Sequence, residues 1–237
     1  MAVIVPNGVP DGRSHMPFLV PVVDDRILLF CRCDPWHIYY VKGIESTRLE
    51  TGFTQKLECS PSAWQDEFGL HISFIAGGAD FTRYRLYRMD GPDITSLSAP
   101  VAILDTPAGF IQRDRTVFVE PSKESPAVIH IKTAIKDDII EMPNVMVYSL
   151  SYCAEQPNKL IVSGQRYDNE ELFALLYDID TGEQLLVICD DLPAYKCTIL
   201  GDTIIYTERI GAFFEDRRLR VAEKVEFIPT TIVSKRT

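Results

Sequence analysis

Turn-forming residues recur along this chain at a nearly constant interval, and no other feature of the sequence constrains the fold as strongly. Short polar turns separate apolar runs in two series. The first series falls at Asp24-Asp25, Asp66-Glu67, Arg113-Asp114, Pro157-Asn158 and Gly201-Asp202. The second falls at Gly43, Asp90-Gly91, Asp137-Asp138, Thr181-Gly182 and Glu223-Lys224. Both intervals are roughly 42 to 48 residues, which is the length of a four-stranded propeller blade.

The apolar segments between these turns have the composition of β-strands. Runs rich in Val, Ile, Leu, Phe and Tyr are bounded by Asp, Gly and Pro, and they do not repeat at helical spacing. We therefore predict an all-β fold: a single five-bladed β-propeller of four-stranded antiparallel blades, forming one domain over residues 1–237. The predicted blades span residues 17–51, 57–104, 107–143, 145–190 and 193–235. The N-terminal strand 2–5 is expected to close the ring by pairing with blade 5.

Composition excludes several classes of function. With 237 residues and 46% hydrophobic content, the chain can bury a large core without a second domain. Its formal net charge of -10 opposes contact with a phosphate backbone, so nucleic acid is not an expected partner. No apolar run reaches about 18 residues and no signal-peptide pattern is visible, so we expect no membrane partner and a cytoplasmic location where the chain is synthesised.

The cysteines favour buried thiols rather than a metal site. They are Cys31, Cys33, Cys59, Cys153, Cys189 and Cys197, and most lie within apolar runs. Cys31 and Cys33 could share a metal with Cys59 or His37, but no second closely spaced pair completes a set of four ligands. We predict no metal, no cofactor and no disulfide framework.

Two neighbouring segments allow alternative interpretations. The run ELFALLYDI (171–179) has helix propensity, and DIDTG (178–182) has the Asp-x-Asp spacing of a calcium loop. The glycine and the terminal glutamate are misplaced for calcium binding. A strand followed by a hairpin turn therefore fits this region better.

The string SPSAWQDEFGLHISFIAGG (60–78) resembles the blade openings of five-bladed glycosidases, those of glycoside hydrolase family 43 and its relatives. Their blades open with a Pro-led inner strand, turn at Asp or Gly and continue into an aromatic-rich second strand. A comparable proline precedes the inner strand elsewhere, at Pro17 or Pro21, Pro107, Pro143 and Pro193.

The chemistry of that family requires carboxylates across the central channel, as general acid and as base or nucleophile. The resemblance places the base directly before the first inner-strand proline, where this chain has Val20 or Met16. It places a second carboxylate beside Pro61, where Ser60 and Ser62 stand. Asp105, Glu155 and Asp191 remain as acidic residues near inner-strand starts, but hydrolysis is not the favoured function.

A propeller without catalytic residues is typically a binding platform, because its loops cluster on two faces of a rigid ring. The candidate ligand-binding residues are Trp36 and His37, just after one turn, and Trp64 and Asp66, just before another. Each tryptophan has two interpretations, recognition when exposed or packing between blades when buried.

Three functional hypotheses follow. The first is a non-catalytic binding or assembly module that takes a protein partner or a second copy, for example as a structural subunit of a larger particle such as a virion. The second is a glycan-binding propeller, and the third is a glycosidase whose carboxylates lie elsewhere. The first is favoured, so the chain is not expected to be an enzyme.

Overall fold

The computed structural model describes residues 14–22, 25–33, 36–42, 45–53, 57–77, 84–91, 96–97, 101–104, 108–120, 126–209 and 217–236. Within these ranges every regular element is a β-strand. Blade 1 contains β1 (Ser14–Val22), β2 (Asp25–Cys33), β3 (Trp36–Lys42) and β4 (Glu45–Arg48). Blade 2 contains β5 (Leu57–Asp66), β6 (Gly69–Gly77), β7 (Tyr84–Gly91), β8 (Ser96–Leu97) and β9 (Ala102–Leu104).

The later blades follow the same antiparallel pattern. Blade 3 contains β10 (Gly109–Gln112), β11 (Arg115–Glu120), β12 (Ala127–Lys132) and β13 (Asp137–Met142). Blade 4 contains β14 (Val145–Cys153), β15 (Gln156–Arg166), β16 (Leu172–Asp178) and β17 (Gln184–Cys189), with the short β18 (Leu192–Pro193) paired to β17. Blade 5 contains β19 (Thr198–Leu200), β20 (Thr203–Arg209) and β21 (Arg217–Val221), and the chain ends with β22 (Val225–Pro229) and β23 (Ser234–Arg236).

The five sheets form a closed ring through their first strands. β1 contacts β5, β5 contacts β10, β10 contacts β14, β14 contacts β19, and β19 returns to β1. This arrangement confirms the predicted five-bladed β-propeller. The predicted closing strand 2–5 lies outside the described residues.

The inner strands also pack across the ring, through buried aromatic side chains. Tyr152 on β14 packs against Phe110 on β10, with ring centroids 5.4 Å apart and the rings tilted by 41°. Its hydroxyl donates a hydrogen bond to the backbone carbonyl of Ala63 on β5. Burial of the phenol raises the pKa of Tyr152, so the hydroxyl keeps its proton and stays a donor. Blades 2, 3 and 4 are thus joined at the centre of the molecule.

The strand count differs from the prediction of four per blade. The described strands number three in blade 5 and four in blade 1, and the sheet of blade 4 has six, because it includes β18 and β22. The sequence assigned residues 193–235 to blade 5, but β22 and β23 pair instead with the outer edges of blades 4 and 3. β22 lies antiparallel to β17, and β23 lies antiparallel to β13.

Polar side chains of blade 4 explain this C-terminal pairing. Oδ1 of Asp190 accepts hydrogen bonds from the amides of Glu223 (3.0 Å) and Lys224 (2.8 Å). These bonds hold the segment before β22 beside the end of β17. The hydrogen bond from the Lys224 amide, followed by those from the Tyr206 hydroxyl and the Glu223 amide, holds the pKa of Asp190 below its ordinary value. At the start of β17, Oε1 of Gln184 accepts hydrogen bonds from the amides of Ile232 (2.7 Å) and Val233 (2.8 Å). The sheet edge of blade 4 is therefore covered by the chain's own C-terminal segment.

The prediction of buried, reduced cysteines is confirmed for the described thiols. Free and buried thiols occur at Cys31, Cys59, Cys153, Cys189 and Cys197. Burial raises the pKa of Cys189 to about 12, and burial also raises the pKa of Cys153 and Cys197. A thiol that keeps its proton is a poor nucleophile and metal ligand, so these side chains serve as small apolar groups. In the described part of the chain we find no helix that could span a membrane.

Candidate functional site

The meandering blades place their turns on two opposite faces of the ring. The turns between first and second strands, at residues 67–68, 113–114, 154–155 and 201–202, share one face, which we call the first-turn face. The turns between second and third strands, such as residues 167–171, lie on the other, the second-turn face.

The four residues singled out from the sequence divide between these faces. Trp64 and Asp66 lie at the end of β5, on the first-turn face. Trp36 and His37 lie at the start of β3, on the second-turn face, where His37 contacts Glu58 at the start of β5. Glu58 and Asp66 are roughly 25 Å apart along an extended strand. The structure therefore does not bring the two pairs together.

His37 belongs to a buried polar cluster between blades 1 and 2. Glu58 is 0% exposed, and its Oε2 lies 3.2 Å from Nδ1 of His37 and accepts a hydrogen bond from the Ile38 amide at 3.3 Å. Its Oε1 accepts a hydrogen bond from the hydroxyl of Thr51. Trp36 packs beside this region against the main core. Every described contact of Glu58 is internal, so this cluster links the two blades rather than facing a ligand.

Asp66 belongs to a second imidazole–carboxylate group, on the first-turn face. Nε2 of His71 lies 2.9 Å from Oδ1 of Asp66, and its Nδ1 lies 2.6 Å from Oδ1 of Asp90. The indole of Trp64 stacks on the imidazole, with ring centroids 4.9 Å apart and an interplanar angle of 14°. The register explains the arrangement, because Trp64 is directly opposite His71, and His71 is directly opposite Asp90. We call Asp66, His71 and Asp90 the His71 clamp.

The clamp changes the acidity of Asp66 and His71. Hydrogen bonding from His71, and then from the backbone amide of Phe68, lowers the pKa of Asp66. Burial works against protonation of His71, but its hydrogen bonds to Asp90 and Asp66 outweigh that effect and raise the pKa of the imidazole. Asp66 therefore stays ionised to below its ordinary pKa of 3.8, and His71 stays protonated to above its ordinary pKa of 6.5.

The clamp holds a turn that displays an aromatic side chain. Oδ1 of Asp66 accepts a hydrogen bond from the amide of Phe68 at 2.8 Å, as in an Asx turn. The Phe68 side chain itself is 75% exposed. It borders an open depression of about 570 Å³ lined by Trp64, Asp66, Glu67, Phe68, His71, Arg88 and Arg113.

Arg113 joins this depression to a smaller one at the junction of blades 3 and 4. The second depression has a volume of about 150 Å³ and is lined by Gln112, Arg113, Asp114, Arg115, Pro157 and Asn158. Arg113 is exposed, its backbone is left-handed with φ of 54°, and it forms no ion pair with any described residue. The neighbouring Arg115, by contrast, donates a hydrogen bond from its guanidinium to Oδ1 of Asn158 at 2.9 Å. Arg113 is thus a cationic group available to a ligand between the two depressions.

Blade 3 repeats the clamp without an associated turn. The imidazole of His130 stacks on Phe118, with centroids 5.0 Å apart, and its nitrogens lie 2.9 Å from Oε2 of Glu120 and 3.1 Å from Oδ1 of Asp137. In both blades the aromatic residue and one carboxylate are two residues apart on one strand, and the histidine is opposite the aromatic. Among the contacts described, only in the His71 clamp does a carboxylate also accept a hydrogen bond from the backbone of an exposed aromatic residue, Phe68.

Sequence reasoning missed Glu58, Phe68, His71, Arg88 and Arg113. A signal for Phe68 exists, because an aromatic residue between Glu67 and Gly69 at a hairpin tip has no neighbouring strand to pack on.

Among the described side chains, no group of three His, Cys, Asp or Glu residues is arranged to hold a metal ion.

Comparison with known proteins adds no functional information: neither a protein-family model nor a curated protein sequence matches this chain.

Proposed function

We propose that this propeller is a non-catalytic binding and assembly module that takes a protein partner on its first-turn face, at the depression beside Phe68. The observation that carries the proposal is the 75% exposed side chain of Phe68, displayed on a turn that the His71 clamp holds in place. A phenyl ring at the tip of a turn contributes nothing to the core. Exposure of its apolar surface to water is unfavourable, and burial of that surface by a partner would stabilise the complex.

The residues around Phe68 are of the kinds that dominate protein interfaces. Aromatic residues and arginine are enriched at binding hot spots, and both types line this depression. The turn is also fixed before binding, so little conformational entropy is lost when a partner docks. A partner that fits would present an apolar side chain to Phe68 and a carboxylate to Arg113.

Such a partner could be another protein or a second copy of this chain, as in the shell of a larger particle such as a virion. The chain carries a net charge of -10, and repulsion between like charges disfavours a broad interface between copies or with acidic proteins. A small, localised contact is therefore favoured. Arg88 and Arg113 reduce that repulsion at the depression.

Site-specific photo-crosslinking tests this proposal. A benzoylphenylalanine replaces Phe68 in one variant and Tyr167 in the other, in cells that make the protein. Tyr167 is the matched control, since it is 50% exposed but follows β15 on the second-turn face. We expect a discrete adduct from position 68 and none from position 167.

Identification of the crosslinked partner completes the test. The purified partner, or a second copy of the chain, should bind wild type at least about tenfold more tightly than Phe68→Ser or Arg113→Ala, because a hot-spot residue contributes more than about 1.4 kcal/mol. Equal binding by wild type and both variants, or adducts only from position 167, would overturn the proposal.

Carbohydrate recognition and hydrolysis, the functions that the family 43 resemblance implies, have less support. A sugar-binding tryptophan needs an open ring face, but Trp64 is only 7% exposed and lies against His71. At the centre of the ring, Tyr152 and Phe110 are fully buried. Saturable binding of the purified chain on a broad glycan array, lost in Trp36→Ala, would revive this alternative.

A further inference from the structure

We propose that His71 makes the display of Phe68 dependent on pH: the turn is ordered while the imidazole carries both ring protons and loosens when one is lost. The proposal concerns regulation of the surface described above and rests on the proposed function for its biological role. The structural claim itself can be tested on the chain alone.

A continuous series of hydrogen bonds leads from Arg88 to the exposed turn. Nε of Arg88 donates to Oδ2 of Asp90 at 2.9 Å, and Oδ1 of Asp90 lies 2.6 Å from Nδ1 of His71. Nε2 of His71 lies 2.9 Å from Oδ1 of Asp66, the same oxygen that accepts the Phe68 amide. The position of the Phe68 backbone therefore depends on what His71 donates to Asp66.

Counting protons shows why this series is sensitive to pH. An ionised carboxylate only accepts hydrogen bonds, so each ring nitrogen must carry a proton to satisfy its aspartate. A neutral imidazole has one N–H, and its other nitrogen then points a lone pair at a carboxylate oxygen. Because the contact to Asp90 is shorter and Asp90 is anchored by Arg88, the remaining proton stays on Nδ1. Asp66 then loses its imidazole donor and keeps only the hydrogen bonds from the Trp64 side chain and the Phe68 amide, so the turn loses part of its support.

The charged groups around the imidazole favour its protonated form. β5 contributes Asp66, the turn after it contributes Glu67, and β7 contributes Asp90 and Arg88. Arg113 faces the same depression from the turn between β10 and β11. The two direct carboxylate contacts outweigh the desolvation of the imidazole and raise the pKa of His71. The transition is therefore expected above pH 6.5.

Blade 4 contains an internal control. Oδ1 of Asp178 accepts hydrogen bonds from the amides of Asp180 (3.0 Å) and Thr181 (2.9 Å), an aspartate-held turn like that at Asp66. No imidazole contacts Asp178 among the described residues. Its turn should not respond to pH where histidine titrates.

The experiment is a pH titration of the purified, isotopically labelled chain by NMR from pH 5.5 to 8.5. It records the protonation and tautomer of His71 and the amide exchange protection of Phe68 and Thr181, normalised for the intrinsic rate. We expect the protection of Phe68 to fall roughly tenfold as His71 loses its proton, the loss expected for one charge-assisted hydrogen bond. Thr181 should be unchanged, and neutral His71 should carry its proton on Nδ1.

An Asp66→Asn variant provides a second measurement. Its side-chain oxygen still accepts the Phe68 amide, but the carboxylate beside Nε2 is gone. The pKa of His71 should fall relative to wild type, and the pH at which the protection of Phe68 changes should fall with it. Protection that stays constant in wild type while His71 titrates, or a neutral tautomer protonated on Nε2, would overturn the inference. Neither result would affect the crosslinking result at position 68, so failure here is distinguishable from failure of the proposed function.

Discussion

The two imidazole–carboxylate sites of blades 1 and 2 contain similar groups but differ in their surroundings. At the second-turn face, Glu58 is 0% exposed. Its carboxylate contacts the His37 ring and accepts hydrogen bonds from the Thr51 hydroxyl and the Ile38 amide, at the junction of blades 1 and 2. At the first-turn face, the Asp66 side chain is 35% exposed and supports a turn that presents Phe68 to solvent. The comparison shows that an imidazole–carboxylate pair alone does not identify a binding site. What the carboxylate holds, and whether that group faces solvent, separates a structural link from a recognition surface.

The largest effect should come from breaking the buried link. Glu58→Ala leaves the Thr51 hydroxyl, the Ile38 amide and the His37 ring without their acceptor in a buried space. We expect the free energy of unfolding to fall by about 3–5 kcal/mol in urea denaturation. Glu58→Gln keeps the shape of the side chain and one acceptor oxygen, so we expect a clearly smaller decrease in the free energy of unfolding. A loss below about 1 kcal/mol in Glu58→Ala would show that the pair does not join the blades.

A second interior substitution tests the centre of the ring. Tyr152→Phe removes the hydroxyl that donates to the Ala63 carbonyl and leaves that buried oxygen unpaired. Unfolding free energy should drop by about 1–3 kcal/mol, measured in the same way. Tyr148→Phe removes a hydroxyl that donates to Gln165 in a half-buried position, so it serves as the milder control. Equal losses in the two variants would argue against a special role for the central contact.

The surface clamp should affect stability less, and in a pH-dependent way. Because the folded pKa of His71 is raised, its contribution to stability is complete below pH 6.5 and disappears as the pH rises through the raised value. His71→Gln should abolish this part of the pH dependence, with a change smaller than that of either interior substitution. Thermal unfolding of both proteins at pH 5.5 and 8.5 measures it. If wild type and variant lost the same stability between these pH values, the clamp would not be the source.

Phe68→Ser should have the smallest effect on folding. Its side chain is 75% exposed, so the unfolding free energy should stay within about 0.5 kcal/mol of wild type. Its partner binding should nevertheless weaken. Substantial destabilisation by this variant would place Phe68 among the structural residues and remove the contrast between the two sites.

Much of the fold can be predicted from the sequence, because blade turns and apolar strands are local signals. The run ELFALLYDI, for instance, forms β16 as expected, and DIDTG forms a turn held by Asp178. The C-terminal segment could not be assigned in this way. Its strands pair with blades 4 and 3 through contacts from Asp190 and Gln184, which are distant in sequence and invisible to local patterns.

The candidate site was predicted only in part, for a related reason. Trp64 and Asp66 do line the depression, but the sequence predicts the turn at Asp66-Glu67, whereas the structure has it at Glu67-Phe68. A shift of one residue changes which side chains are opposite each other, so the turn predicted from the sequence does not give the pairing of Trp64 with His71. The partnership of His37 with Glu58 crosses a blade junction, and no local pattern of the sequence predicts it.

The most direct test of a binding site on the first-turn face compares amide hydrogen exchange in the purified chain and in the complex isolated with its crosslinked partner. We predict that residues 66–71 and 113–115, on the first-turn face, become protected in the complex, while residues 167–171 on the second-turn face do not change. Protection confined to residues 167–171, with 66–71 and 113–115 unchanged, would contradict it.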